Sequence, residues 1–365
     1  MKNTSTNLRL PNLTDNENPL VSILIYNYNY GKYLSECFQS ALDQSYPNIE
    51  ILFSDNASND NSWDIAIDFQ RRYPGRITIA RNRANLGTDL NLQNCWATQK
   101  GRYYVVLGSD DVLHKDFVKV TASLLSEHLD AAYVMTHRYI LDKDSNRTEE
   151  VPFYDGCYKL IPPSQNGVYM MAAINPSITQ ICYRTDQARK RSAMGEFGSQ
   201  FYGTRIMDFR LCMDFPVIYV DAPLVGHRIH GENQSLVADK NLMEILGPYI
   251  LNLQFKEMGR ISGYKNIEDK FNKSIPKLSK LALRYSLRAA KRGDIELGLQ
   301  YWHLSQALYP EISLMTECSL LGSFLRSGAS INTKEFDAFD SSMDFQRNVA
   351  YPPDEPYIKL KMTGI

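Results

Sequence analysis

The sequence predicts an α/β protein built on an open, mostly parallel sheet, and three observations carry that expectation. Short β-branched apolar runs recur with little polar alternation, as strands buried on both faces require. Segments of about a dozen residues with helical apolar spacing separate them. A polar cluster follows nearly every run, so the clusters converge on the carboxyl edge of the sheet, where open α/β folds bind ligands.

Each element follows from local chemistry. Residues 20–25 form a strand in which only Ser22 is polar. The loop Asn27-Tyr28-Asn29-Tyr30-Gly31 leads into a helix over 33–44, with Leu34, Cys37, Phe38, Ala41 and Leu42 on one face. A second strand over 49–53 ends in Ser54-Asp55-Asn56-Ala57-Ser58-Asn59-Asp60. A helix over 62–73, a strand over 77–80, a helix over 88–98 and a strand over 103–107 follow. The last of these halts at Gly108-Ser109-Asp110-Asp111. Further strands are expected over 131–135 and 217–220, with an irregular, Pro-containing stretch over 151–177 between them. Beyond residue 239 the pattern is helical, including a hairpin over 281–308 that turns at Gly293-Asp294 and stops at Tyr309-Pro310. The polar tail from 330, with Pro352, Pro353 and Pro356, reads as extended.

Composition narrows the function. The chain has 365 residues, 40 Lys and Arg against 41 Asp and Glu, and a formal net charge of −1. That balance argues against a general nucleic-acid binder. Six cysteines are scattered without a CxxC pair, as free thiols in a reducing compartment are. No stretch reaches the roughly 18 apolar residues of a spanning helix. Residues 1–18, rich in Asn and Thr, read as a flexible lead without a secretory signal, so the expected compartment is the cytoplasm.

Adjacent carboxylates at a strand end, Asp110 and Asp111, repel one another unless a cation sits beside them. A divalent metal with oxygen ligands would relieve that conflict and take diphosphate oxygens on its other side. An Asp-rich turn capping the next helix is the alternative. Asp55, at another strand end, can accept a hydrogen bond from a ring N–H, and Tyr28 can stack on the same base. Either residue read alone is equally a turn or packing residue.

Taken together, the motifs are more specific. Val21-Ser22-Ile23-Leu24-Ile25-Tyr26-Asn27-Tyr28-Asn29, the Ser54–Asp60 cluster, Asn85-Leu86-Gly87 and Gly108-Ser109-Asp110-Asp111 resemble the family 2 glycosyltransferases in order and spacing over roughly residues 19–125. The resemblance continues more loosely to about 236 and ends before the C-terminal helices. It implies the GT-A nucleotide-diphospho-sugar transferase fold over 19–238, with a nucleotide-binding part over 19–125 and an acceptor-binding part over 126–238. A helical extension over 239–329 and the tail over 330–365 complete the expected organisation.

Carried over position by position, the resemblance implies that Tyr26 and Tyr28 line the nucleotide pocket and that Asp55 binds a pyrimidine. It puts Asp110 on ribose or metal and makes Asp111 the principal ligand of Mn2+ or Mg2+. Tyr26 stands where Thr or Ser is frequent, and Ser109 where many members carry another Asp. Asp208 falls where the family has its catalytic base, usually in an acidic pair before a helix. Met207 replaces the first acid of that pair, and Asp214 and Glu196 are the nearest rivals. The stretch over 226–235 resembles the family's Arg-x-His segment, so Arg228 would grip diphosphate and His230 would ligate the metal.

The implied activity is inverting transfer from a UDP- or dTDP-sugar to a hydroxyl of a glycan or lipid-linked saccharide, in surface polysaccharide biosynthesis. Such acceptors imply peripheral contact with the inner membrane face, although the Lys and Arg residues over 273–292 read better as a solvated helix face. A nucleotidyltransferase would need a Gly-rich basic loop after the first strand, where this chain has one Lys32. A degenerate, non-catalytic glycan- or partner-binding protein is the other alternative, supported by Met207.

Overall fold

The computed structural model describes residues 18–165, 167, 176–190, 203–230, 240–327, 334, 337–338 and 353–361. Two compact units emerge: one of residues 1–165, 176–230 and 351–365, the other of 166–175 and 231–350.

The first unit is a helix-flanked sheet. Its alternating half runs β1 (Val21–Asn27), α1 (Gly31–Leu42), β2 (Ile49–Asp55), α2 (Ser62–Arg72), β3 (Ile77–Arg81), α3 (Thr88–Thr98) and β4 (Tyr103–Gly108). The second half adds β5 (Val112–Leu113), α4 (Phe117–Glu127), β6 (Tyr133–Leu141), β7 (Arg147–Glu149) and β8 (Tyr158–Leu160). After these come β9 (Ile181–Arg184), α5 (Thr185–Lys190), α6 (Gly203–Asp214), β10 (Val217–Arg228) and β11 (Tyr357–Lys359). Among the described residues these make one sheet of eleven strands, in the order β11-β8-β10-β6-β9-β4-β1-β2-β3, with β5 on β10 and β7 on β6.

The expected parallel character holds for half of the sheet. β1 pairs in parallel with β2 and β4, and β2 with β3. Beyond β4 the sheet is mixed, because β9 runs antiparallel to both β4 and β6. Apolar runs in β1 and β4 fill the core between helices, and every residue of β4 is buried. All six cysteines are free and buried.

The second unit is helical, with α7 (Met243–Ile261), α8 (Ile267–Lys291), α9 (Ile295–Leu308) and α10 (Thr316–Ser327). The expected hairpin is formed by α8 and α9. Gly293, at φ +79°, makes the turn, and the Asp294 carboxylate caps α9 by accepting from the Leu297 N–H. No helix among the described residues is long and apolar enough to cross a membrane.

Candidate active site at the carboxyl edge of the sheet

Strand register lines up three chain ends. Asn27 is opposite Asp55 and Tyr26 is opposite Gly108, so the polar residues after β1, β2 and β4 share one edge. β10 comes to the same place by pairing with β5, immediately after Asp110–Asp111. That approach needs Gly226: a Cβ there would sit 2.6 Å from Val112 Cγ2 and 2.7 Å from the Tyr139 ring.

Asp55 closes β2 and is completely buried. Its Oδ1 accepts from Asn27 Nδ2 at 2.9 Å and Ser58 Oγ at 2.5 Å. Its Oδ2 accepts from Ser58 N at 3.0 Å and faces Arg81 Nε at 3.2 Å. The carboxylate therefore organises the 55–60 loop from within. Tyr28, two residues past β1's apolar run, is 42% exposed at the mouth of this edge. Tyr26 is half-buried, and desolvation, followed by the charges of Asp110 and Asp111, pushes its phenol well above the usual range.

The two carboxylates after β4 have opposite environments. Asp111 is 3% exposed. Its Oδ1 meets His227 Nδ1 at 3.1 Å and the Arg228 N–H at 2.9 Å, and its Oδ2 accepts from Thr179 Oγ1 at 2.9 Å. Burial acts to raise this carboxyl, but His227, Arg228 and Thr179 together outweigh it and hold it below the usual carboxylate range. Asp110 lies nearer the rim, with Oδ2 3.2 Å from His230 Nε2. Burial, reinforced by the neighbouring Asp111 charge and opposed by His230, raises its carboxyl. Gly108 makes room for both, since a Cβ there would stand 3.1 Å from Asp110 Oδ1 and 3.3 Å from Asp111 Oδ2.

Arg228 and His230 arrive beside these acids, one of them in a different role from the one expected. The Arg228 guanidinium is fully buried. It donates from Nε to the Asp110 carbonyl at 2.8 Å and from Nη1 to the Asp142 carbonyl at 3.0 Å and Ser145 Oγ at 2.9 Å. Nη2 reaches Glu36 Oε2 at 2.6 Å. The structure corrects the expected diphosphate grip: the fork is turned inward, onto protein acceptors. His230 packs between the Tyr30 and Tyr33 rings, 5.4 and 4.9 Å away, with Nε2 presented to Asp110.

Asp208 departs from the expected place ahead of a helix. It lies inside α6, not ahead of it, and is 1% exposed. Tyr183 donates to its Oδ1 at 2.7 Å, and the Tyr183 ring stacks on Tyr104, centroids 5.0 Å apart. Tyr104 is four residues before Gly108 on β4, which is about 13 Å along an extended strand. Burial pushes the Asp208 carboxyl up to about 7, against the Tyr183 bond and the Arg205 charge. Of the rivals, Asp214 ends α6 exposed to solvent, and Glu196 lies outside the described residues.

Residues 22–194 match Glycosyl transferase family 2. The chain carries a family 2 glycosyltransferase domain. Glycosyltransferase GlyG of Streptococcus pneumoniae is 32% identical over 140 residues, 38% of this chain and 46% of that protein. The abequosyltransferase RfbV of Salmonella typhimurium is 35% identical over 113 residues, 30% of this chain and 34% of its own. An Escherichia coli protein, UDP-Glc:alpha-D-GlcNAc-diphosphoundecaprenol beta-1,3-glucosyltransferase WfaP, is 32% identical over 126 residues, 34% and 48% of the two chains. Each match spans less than half of the relative. Among solved structures, Staphylococcus aureus TarS 1–349 in complex with UDP-GlcNAc superposes with a TM-score of 0.53 at 13% identity, covering 91% of this chain and 93% of that one. The GT-A fold is thereby shared.

Several residues of the family 2 domain were not singled out from sequence. Asn91, on α3, donates to the Asn27 and Ser54 carbonyls at 3.2 and 3.0 Å, tying the ends of β1 and β2 together. Asn56 accepts from Leu86 N and donates to Asn85 Oδ1, and so fixes the Asn85-Leu86-Gly87 loop against the same edge. Arg81, the last residue of β3, carries a signal that could have found it, a basic residue directly after an apolar run. Thr179 and Glu36 gave no signal, because neither sits in a motif with the groups it touches.

A divalent cation suits this donor set in its chemistry, since carboxylate oxygens and imidazole nitrogen bind Mn2+ and, less selectively, Mg2+. Asp110 and His230 face one another across 3.2 Å at the rim, with Asp111 behind. Among the described residues no three His, Cys, Asp or Glu side chains already converge as a preformed metal site.

Proposed function

We propose that this protein is an inverting glycosyltransferase that moves a sugar from a UDP- or dTDP-linked donor to a hydroxyl of a glycan or lipid-linked saccharide in surface polysaccharide assembly. The observation that carries this reading is the Asp110–Asp111 pair at the end of β4, sharing an edge with Tyr26, Tyr28 and Asp55. The named activities of RfbV and WfaP, both sugar transferases, support it. In this reading the reaction runs on the cytoplasmic side, with peripheral membrane contact where the acceptor is lipid-linked.

In this reading Tyr28 stacks on the nucleobase, Tyr26 closes the pocket beneath it, and Asp55 accepts the pyrimidine N–H. Asp110 and His230 hold Mn2+ or Mg2+ with Asp111, and the cation, when bound, neutralises charge on the departing diphosphate. Arg228 serves this set by orienting Asp110 and Asp111. Inversion needs one base on the acceptor side. Asp208 is buried inside α6 with Tyr183 on its carboxylate, so in this reading the role passes to Glu196, the only acidic residue in the sequence over 191–202 ahead of α6.

Thermal unfolding with UDP-, dTDP- and GDP-sugars, with and without Mn2+, tests the donor site. A ligand at about 100 times its Kd stabilises the folded chain by about 2.7 kcal/mol. No shift with any nucleotide sugar in Mn2+ would overturn the reading. The place of Asp208 also favours a second reading, a sugar-nucleotide-binding protein that has lost transfer. Donor binding without transfer or hydrolysis of a radiolabelled donor would establish that one.

A further inference from the structure

We propose that Glu36, on α1, is a positioning residue for the donor site, acting through Arg228; the inference rests on the donor-site reading above. A guanidinium with no exposed surface needs a counter-charge close by. Glu36 supplies it at 2.6 Å from Nη2, and the same Oε2 accepts from Ser145 Oγ at 2.9 Å. Ser145 itself adopts φ +64°, an uncommon conformation for a residue with a side chain, in a turn whose Asp142 carboxylate accepts from the N–H groups of Asp144 and Asn146. That turn presents both the Asp142 carbonyl and the Ser145 hydroxyl to Arg228.

The chain of contacts ends on the acids. Arg228 holds the Asp110 carbonyl through Nε, and its own N–H holds Asp111 Oδ1. Glu36, the 142–146 turn and β10 therefore fix the Asp110 backbone and the Asp111 carboxylate from behind. The Glu36 side chain is 47% exposed. Among the described residues its polar contacts are to Arg228 and Ser145, so its effect on the donor passes through them. Outer partners that orient metal-binding groups are worth about 10- to 100-fold in affinity or activity.

The test is Glu36→Gln in the full chain, with Mn2+ and UDP as probes. Glutamine keeps an acceptor for Arg228 but removes the charge. Calorimetry should show UDP affinity in Mn2+ reduced about 10-fold, with the spectrum of bound Mn2+ altered in electron paramagnetic resonance. Donor KM should rise while acceptor KM stays the same, a split that general loss of folded protein does not produce. Ser145→Gly removes the hydroxyl and relieves the left-handed backbone, so its melting temperature should hold or rise while UDP affinity falls. It also keeps the test decisive if Glu36→Gln does not fold. Wild-type affinity and an unchanged Mn2+ spectrum in a folded Glu36→Gln, or wild-type affinity in Ser145→Gly, would overturn the positioning role alone. Failure of the wild-type protein to bind UDP in Mn2+ would bring down the donor-site reading, and this inference with it.

Discussion

Asp111 and Asp208 are both buried aspartates in the same unit, yet their carboxyls are driven in opposite directions. Asp111 is surrounded by donors: an imidazole, a backbone N–H and a threonine hydroxyl stabilise its charge against burial. Asp208 has one phenol on Oδ1 amid Tyr104, Tyr183 and Cys212, and burial dominates. A buried carboxylate thus reveals its use through its partners more than through its depth. Three donors assembled from two separate segments hold Asp111 charged at the edge where strand ends converge. One tyrosine hydrogen bond and the Arg205 charge do not offset burial, and Asp208 is readily neutralised within a helix.

The comparison breaks most clearly in turnover. Asp111→Asn should cut transfer by roughly 1,000-fold or more, and abolish metal-dependent nucleotide binding, with circular dichroism unchanged. Wild-type activity in Mn2+ would remove Asp111 from the donor site. Next, Glu196→Gln should slow transfer by roughly 100- to 10,000-fold, the range of a positioned base, at constant donor affinity measured by calorimetry. Asp208→Asn should stay within a few-fold of wild type. The reverse pattern would return the base to Asp208.

Stability sharpens the contrast through pH. Burial holds the folded Asp208 carboxyl at about 7, above its ordinary value of 3.8, so the folded state holds a proton that the unfolded chain releases. The group's contribution is therefore most favourable below about pH 4 and is lost as pH rises to about 7, by on the order of 4 kcal/mol. Asp208→Asn removes this dependence, so its stability relative to wild type should improve between pH 5 and pH 8 in urea titrations. A constant difference across that interval would show that the carboxyl ionises normally.

Smaller effects are expected at the nucleobase. Asp55→Ala should raise donor KM about 10-fold with little change in kcat, because a base contact is made equally in ground and transition states. Its loss should also lower the melting temperature, since Ser58 and Arg81 lose their acceptor. Tyr28→Ala, at an exposed ring, should weaken UDP binding by about 10-fold or less, with an unchanged melting temperature. Equal losses of stability in the two variants would argue that Tyr28 is a packing residue.

The alternating half of the sheet was legible in sequence because its strands are continuous apolar runs and its helices have one apolar face. The edge residues were legible for the same reason: Tyr26, Asp55 and Asp110 each follow such a run within three residues. β9 and the mixed half were not, since a four-residue strand after an irregular segment leaves no period to read. Arg228 was placed beside the right acids but given the wrong direction. Its partners, Glu36 and Ser145, are 192 and 83 residues away in sequence, and only folding joins them. Asp208 was misplaced because one carboxylate near a helix start carries no signal for how far into the helix it falls.

The edge strand β11 has a bearing on how this chain can be divided. Tyr357, Ile358 and Lys359 pair with Leu160, Lys159 and Tyr158, and the Tyr158 and Tyr357 rings meet edge-on at 5.2 Å. In sequence, the helical unit is thus an insertion between β10 and the last strand of the sheet. A fragment ending at residue 230 would keep every residue placed at the donor edge while stripping the cover from β8. An uncovered strand is a template for another copy. Such a fragment should bind nucleotide yet self-associate, and adding back the peptide 351–365 should restore the monomer by supplying the missing strand.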